Sequence, residues 1–149
     1  MEINFDRKSL EISKRKVITG IISIEVGNDF FPEQNWNDAI VTVLNSWIEN
    51  MIQILGSGNN EAKLTFFDGP FFFVIRKKLD QSVVELFRNS RSNGTDYIDI
   101  RKFGYSLLKT SQEVVKEIDR RGWESEDVTQ LTILIQRLLL NLDLLNKEN

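Results

Sequence analysis

Apolar and polar positions at the start of the chain alternate with the period of a β-strand. Ile3 and Phe5 alternate with polar neighbours, and Leu10 and Ile12 do the same. Successive side chains of a strand point to opposite sides, so residues 16–26 predict a longer strand with one apolar face. That face contains Ile18, Gly20, Ile22, Ile24 and Val26.

From residue 35 the apolar residues recur at spacings of three and four, which predicts an amphipathic helix over roughly 35–55. Asn35 is the predicted N-cap, with Asp38 in the first turn, and Gly56 is the predicted C-cap. Core packing is the expected role of the apolar stripe. Its members are Trp36, Ile40, Val43, Leu44, Trp47, Met51, Ile54 and Leu55.

The next segment, LTFFDGPFFFVI, concentrates five phenylalanines around one turn. Residues 62–67 and 71–77 predict two strands, and Asp68-Gly69 between them is a strong hairpin signal. Alternation along these strands leaves both faces largely apolar, so both need cover from the protein's own helices or from a partner. The segments QSVVELFRN and TDYIDI predict two further strands, joined by the turn SRSNG.

Two helices are predicted at the end of the chain. The first ends at Arg120-Arg121-Gly122, and Ser125 is the predicted N-cap of the second. The apolar stripe of the first consists of Phe103, Leu107, Leu108, Val114, Val115 and Ile118, and the seam of the second consists of Val128, Leu131, Ile135, Leu138, Leu142 and Leu145. Ile133, Leu140 and Leu144 lie nearly opposite that seam, at about 100° per residue. The last helix is therefore expected to be sandwiched or to dock on another chain.

These elements predict a single α+β domain over residues 1–149, a length that suits one hydrophobic core. We expect an antiparallel sheet of five or six strands, formed by the N-terminal strands and the meander. One central helix and two C-terminal helices are expected to pack against it.

The composition narrows the chemistry, because the chain contains no histidine and no cysteine. The commonest general base near neutral pH, most zinc ligands and all thiol chemistry are therefore missing. We expect no catalytic, metal or cofactor site. No basic-then-apolar start and no continuous apolar run of membrane-spanning length occurs, so a cytoplasmic protein without a membrane segment is expected.

Charge is distributed unevenly along the chain. Residues 31–69 carry one lysine against five acids, whereas residues 70–104 carry seven bases against four acids. The basic runs at 14–16 and 76–78 fall at predicted strand ends, where such residues prevent edge pairing, and a pI of about 5.1 argues against a nucleic-acid partner. The predicted acidic interaction surface consists of Glu33, Asp38, Asn45, Glu49, Glu61 and Asp68, with Phe30, Phe31, Phe67 and Phe72 as aromatic contacts.

The order of elements resembles a known class of proteins. A strand pair ends in FFPEQNW, the helix WNDAIVTVLNSWIENMIQIL follows, a hairpin turns on FFDGPFFF, and helices close the chain. This layout is similar to the small cytoplasmic immunity proteins of bacterial polymorphic-toxin and contact-dependent inhibition systems. The resemblance implies a protein that binds a cognate toxin domain and blocks it without chemistry. An acidic inhibitor would suit a nuclease toxin with a basic cleft.

Three hypotheses follow. The first is a non-enzymatic immunity protein that neutralises a protein toxin by direct binding. The second is an assembly module that forms a homodimer through Ile133, Leu140 and Leu144. The third, least favoured by the composition, is an enzyme that uses carboxylates or lysine in a deep pocket.

Overall fold

The structure, a computed structural model, describes residues 1–56 and 58–148. Within these described residues, eight strands and three helices follow one another. In order, they are β1 (Glu2–Ile12), β2 (Ile18–Val26), β3 (Asp29–Phe31), β4 (Asn37–Asp38), α1 (Ile40–Gly56), β5 (Glu61–Thr65), β6 (Phe71–Arg76), β7 (Val83–Arg88), β8 (Arg91–Tyr97), α2 (Ile100–Arg120) and α3 (Glu126–Glu148).

The α+β class is confirmed, but the strands form two antiparallel sheets of four strands each and not one sheet of five or six. Sheet A contains β1, β2 and β3, with β4 also paired to β2, whereas sheet B is the meander β5-β6-β7-β8. Strand β2 is the inner strand of sheet A. One of its sides pairs with β1, and the other side pairs with β3 and then with β4.

Helix α1 lies at the centre of the molecule, in contact with β2, β5, α2 and α3. Its predicted apolar stripe is confirmed from Ile40 onward, because every predicted member from that residue to Leu55 is buried. The predicted start at residue 35 is wrong. Asn37 and Asp38 pair with Ile21 and Gly20 as strand β4, so the helix begins only at Ile40.

The hairpin at residues 64–75 is confirmed, with Leu64 paired to Phe73. Its inner side is in the core, and its outer side is covered by cross-strand contacts rather than by a helix. On that outer side Phe72 stacks on Phe87 with ring centroids 4.7 Å apart, and the ammonium of Lys63 lies 4.2 Å from the Phe72 ring. Some of the aromatic rings near the turn are thus buried in the core, and Phe72 forms a stacked pair on the outer side of the sheet.

The strand at β7 is also confirmed, but the predicted turn at 90–94 is wrong. The turn consists of Asn89 and Ser90, whose φ angles are 52° and 64°, as in the two-residue hairpin turns that match strand twist. Strand β8 therefore begins at Arg91 and ends at Tyr97. Asp99 then caps α2 by accepting a hydrogen bond from the Lys102 backbone N–H.

The two C-terminal helices follow their predicted patterns. All of the predicted seam residues of α3 are buried apart from Leu145, which is half-buried. Close approach of the helices depends on Gly104 of α2, where an added Cβ would lie 2.9 Å from a methyl of Leu142. The segment Glu126–Lys147 is long and apolar enough to cross a membrane, by length and composition alone. Core helices of other proteins are often equally apolar, so the location of the protein stays a prediction.

A charged cluster joins the end of α2 to sheet A. Glu117 accepts hydrogen bonds from Arg120 and Arg121, at 2.6 Å and 3.0 Å, and its side chain is nearly buried. Arg121 in turn donates to the backbone carbonyl of Leu10 at 2.6 Å. Hydrogen bonds from Arg120, and then from Arg121, hold the pKa of the Glu117 carboxyl at about 2, below its ordinary 4.5.

This lowered pKa predicts a pH dependence of stability. The ionised carboxylate is favoured in the folded protein, so its contribution is complete above the ordinary pKa and is lost as pH falls from about 4.5 toward about 2. We expect Glu117→Gln to be less stable than the unmodified protein at neutral pH, with the difference shrinking over that range. Urea denaturation at several pH values measures it. Glu113→Gln, at an exposed position of the same helix, is the control and should show no such trend.

Candidate interaction surface

Three loops meet at one end of the molecule, and together we call them the three-loop surface: residues 32–36 after β3, residues 66–70 between β5 and β6, and residues 89–90 between β7 and β8. Two hydrogen bonds join them. Arg88 donates to the carbonyl of Pro32 at 2.5 Å, and the backbone N–H of Asn89 donates to the carbonyl of Pro70 at 3.0 Å. Loops from both sheets are therefore fixed relative to one another.

Asp38 holds the centre of this end in place. Its side chain accepts four hydrogen bonds, from the Trp36 indole N–H at 2.9 Å and from the backbone N–H groups of Ala39, Phe67 and Asp68 at 2.8, 2.9 and 3.3 Å. One carboxylate thus connects the start of α1, the loop after β3 and the hairpin turn of sheet B. Ionised acceptors make strong hydrogen bonds with backbone N–H groups, so the loops are rigidly positioned.

This role removes Asp38 from the predicted acidic surface, because only 2% of the residue is exposed. The prediction failed because residues 37–38 form a strand instead of the first helical turn, which turns the carboxylate inward. Phe31 is removed for a similar reason. Its ring is also only 2% exposed and packs edge-on against Phe66 and Phe71, with centroid distances of 5.9 Å and 6.2 Å.

Beneath the loops lies a layer of aromatic rings. Trp36 packs edge-to-face on Phe71 with centroids 5.0 Å apart, and the Arg88 guanidinium lies 5.3 Å from the centroid of the same ring. Such ring contacts add to the stability gained from burial, and the stacked cation strengthens them. The sequence reasoning missed Arg88, because nothing in a strand segment indicates that its side chain reaches across to a loop of the other sheet.

Three predicted contact residues are exposed on the three-loop surface: Glu33, Phe67 and Asp68. Phe67 is 49% exposed although its neighbour Phe66 is in the core. Within the part of the chain that the structure describes, neither Glu33 nor Asp68 has a cation within ion-pair distance. The surface therefore combines one large aromatic ring with two uncompensated negative charges.

The other predicted residues lie elsewhere. Asn45 donates to the carbonyl of Asp127 at 3.1 Å and so joins α1 to the start of α3, and Glu49 is exposed in the middle of α1. Glu61 lies at the far end of β5, 3.8 Å from Arg76. The half-buried residues Phe30 and Phe72 lie on β3 and on the outer side of sheet B. The ten predicted residues therefore do not form one continuous patch.

Open grooves also lie away from this surface, among them two of about 600 Å³ or more in the part of the chain that the structure describes. One, of about 720 Å³, runs between the β1–β2 turn and the junction of α2 with α3 and is lined by Arg15, Trp123 and several acids. The other, of about 600 Å³, contains Lys77, Lys78 and Asp99. Among residues 1–56 and 58–148, no group of three or more acidic side chains is arranged to hold a metal ion.

Fold and surface together define an α+β protein in which two sheets surround a central helix and one end carries a rigid acidic-aromatic surface. No family model matches this chain, and no characterised protein or solved structure is significantly similar to it. The likeness to immunity proteins therefore stays a prediction from the sequence.

Proposed function

We propose that this chain is a non-enzymatic cytoplasmic binding protein that neutralises a cognate protein toxin by direct contact, as immunity proteins do. The three-loop surface is the proposed binding site. One observation carries the proposal. Asp38 accepts hydrogen bonds from the loop that contains Phe67 and Asp68 and from Trp36 in the loop that contains Glu33, so the exposed contact residues are held in fixed positions.

Rigidity favours binding because loops that are already ordered lose little conformational entropy when a partner arrives. An exposed phenylalanine is a suitable anchor, since large aromatic side chains in desolvated pockets contribute much of the energy of protein interfaces. The surrounding carboxylates of Glu33 and Asp68 attract a basic partner over long range and raise the rate of encounter. A toxin that binds nucleic acid through a basic cleft has the complementary charge.

The composition supports a role without chemistry. Without histidine or cysteine, the chain lacks the two side chains most often tuned for proton transfer and nucleophilic attack near neutral pH. Binding by shape and charge needs neither of them. A carboxylate- or lysine-based enzyme is the weaker proposal. Four acids do line one open groove, but two of them, Glu126 and Asp127, lie in the first turn of α3, where they stabilise the helix.

The first test is binding to the product of the gene directly upstream, measured with purified proteins by surface plasmon resonance. We expect Phe67→Ala to weaken binding about 10-fold or more, as truncation of an interface anchor does. The double reversal Glu33→Lys/Asp68→Lys should slow association about 10-fold at low salt, with less effect at high salt.

Glu49→Lys is the control, because it reverses one charge at an exposed position on α1, outside the three-loop surface, and it is compared with Glu33→Lys alone. It should leave the association rate within about two-fold of the original. Failure of the neighbouring gene product to bind would reject the toxin partner. Slowing by Glu49→Lys as large as that by Glu33→Lys would reject the three-loop surface as the site.

A further inference from the structure

The side of α3 that faces away from the rest of the protein carries a line of exposed apolar side chains. Ile133, Leu140 and Leu144 are 52%, 63% and 58% exposed, whereas Leu138 and Leu142 on the opposite side are fully buried. Isolated exposed apolar residues need no explanation, but aligned ones on one helix face mark a contact site. The predicted second stripe of the helix is therefore on the surface and not sandwiched inside the domain.

The spacing of the exposed residues along this face is the same from either end of the helix, although the residue types are not. Three pairs lie at equal distances from the point between Gln136 and Arg137. In order outward, the pairs are Ile133 with Leu140, Thr129 with Leu144, and Glu126 with Lys147. All six side chains are exposed, and at 100° per residue they lie within an arc of about 60°. A pattern with such symmetry matches a second copy of itself turned end to end.

We propose that this face of α3 binds a second copy of the same chain as an antiparallel helix pair, with the two-fold axis between Gln136 and Arg137. Ile133 then packs on Leu140 of the second copy, and Glu126 meets Lys147 of the second copy at both ends of the pair. Isologous contacts of this kind are self-complementary, so each favourable pair occurs twice.

Charge selects the antiparallel arrangement over the parallel one. A parallel pair would place Glu126 against Glu126 and Lys147 against Lys147, and the two helix dipoles would repel. Among the side chains that the structure describes, neither Glu126 nor Lys147 has an ion pair in its own chain, although Glu126 shares a groove with Arg15. An anionic membrane is a poorer match, because amphipathic membrane helices carry several lysines or arginines and this face has acids in its first turn.

One helix pair is small beside the roughly 1,200–2,000 Å² of stable interfaces, so we expect a reversible dimer with a Kd of about 10–100 µM. The proposal is independent of the proposed function. None of its residues belongs to the three-loop surface, and loss of dimerisation should leave toxin binding unchanged.

Cysteine cross-linking tests the arrangement directly, because the chain has no cysteine of its own. Under mild oxidation, a mixture of the single variants Ile133→Cys and Leu140→Cys should give a covalent heterodimer. Either variant alone should not, because identical positions are offset by about 10.5 Å along antiparallel helices, beyond the roughly 7 Å that a disulfide spans between Cα atoms. Cross-linking of each single variant with itself would overturn the antiparallel register.

Charge variants give a second readout by analytical ultracentrifugation. Glu126→Lys and Lys147→Glu should each weaken the dimer about 10-fold at low salt, and mixing the two variants should restore it, because the mixed pair regains both opposite-charge contacts. Leu140→Glu should give a folded monomer, since the residue is exposed. An unmodified protein that stays monomeric up to about 1 mM, or a monomer that binds anionic phosphatidylglycerol vesicles through Leu140, would overturn the proposal.

Discussion

Replacement of Asp38 by alanine is expected to lower the free energy of unfolding by about 3–5 kcal/mol. The carboxylate accepts four partly buried hydrogen bonds, and its loss would leave donors such as the indole N–H of Trp36 and the backbone N–H of Phe67 without their acceptor. A hydrogen bond contributes about 0.5–1.5 kcal/mol, and four are lost together here. Guanidinium denaturation followed by tryptophan fluorescence measures the loss.

Glu49→Ala is the matched control, because it removes an exposed carboxylate from α1 and should change the stability by less than about 0.5 kcal/mol. Asp38→Asn keeps one oxygen acceptor and nearly the same shape. It should therefore lower the free energy of unfolding by an amount between those of Asp38→Ala and Glu49→Ala. A loss below about 1 kcal/mol for Asp38→Ala would show that the four hydrogen bonds do not hold this end of the molecule together.

Phe66→Ala is expected to cost about 3–5 kcal/mol of unfolding free energy, whereas Phe67→Ala should cost less than about 1 kcal/mol. The two residues are adjacent, but the ring of Phe66 is 1% exposed and that of Phe67 is 49% exposed. Phe66 packs against Trp47 with centroids 5.1 Å apart and against Phe73 at 6.1 Å, so its truncation leaves a cavity among aromatic rings.

Urea denaturation of the two variants side by side makes this a matched comparison within one dipeptide. Equal losses would mean that the hairpin is not oriented with Phe66 toward the core. The comparison also separates stability from binding: Phe67→Ala should weaken partner binding while leaving the fold intact. Phe66→Ala would lower the stability, and it would lower partner binding only because less of the protein is folded.

These two predictions explain how the crowded hairpin turn is used. Most of its rings stabilise the protein, and one exposed ring is left for contact. The turn is held by a carboxylate from another part of the chain, so the position of Phe67 depends on Asp38. A binding surface supported in this way combines a rigid backbone with few exposed apolar atoms, which suits an inhibitor that must stay folded and unaggregated until it meets its partner.

The local pattern of apolar and polar residues was sufficient to predict most of the helices and strands. The apolar face of β2, the hairpin at 64–75, the buried stripe of α1 and the two faces of α3 were all predictable, because burial repeats with the period of each element. The candidate site was predictable only in part. Glu33, Phe67 and Asp68 are exposed together at one end, whereas Asp38 and Phe31 are buried.

The failures share one cause, which is contact between residues far apart in the sequence. Residues 35–38 have the spacing of a first helical turn, but pairing with β2 takes two of them into a strand. Likewise, no local feature indicates that the meander forms a sheet of its own and does not extend the N-terminal sheet. From the sequence, Arg88 is an ordinary strand residue, and only the structure shows that it contacts the loop after β3.

By itself, the sequence determined the type and apolar face of the three helices and of the strands β2, β5 and β6, and by composition it removed histidine and thiol chemistry from consideration. Only the tertiary structure decided which polar side chains face water. Any apolar environment stabilises a buried apolar side chain, so the spacing of apolar residues is enough to predict which of them are buried. A carboxylate is stable inside only where specific donors meet it, and the donors to Asp38 include two from a hairpin about thirty residues away.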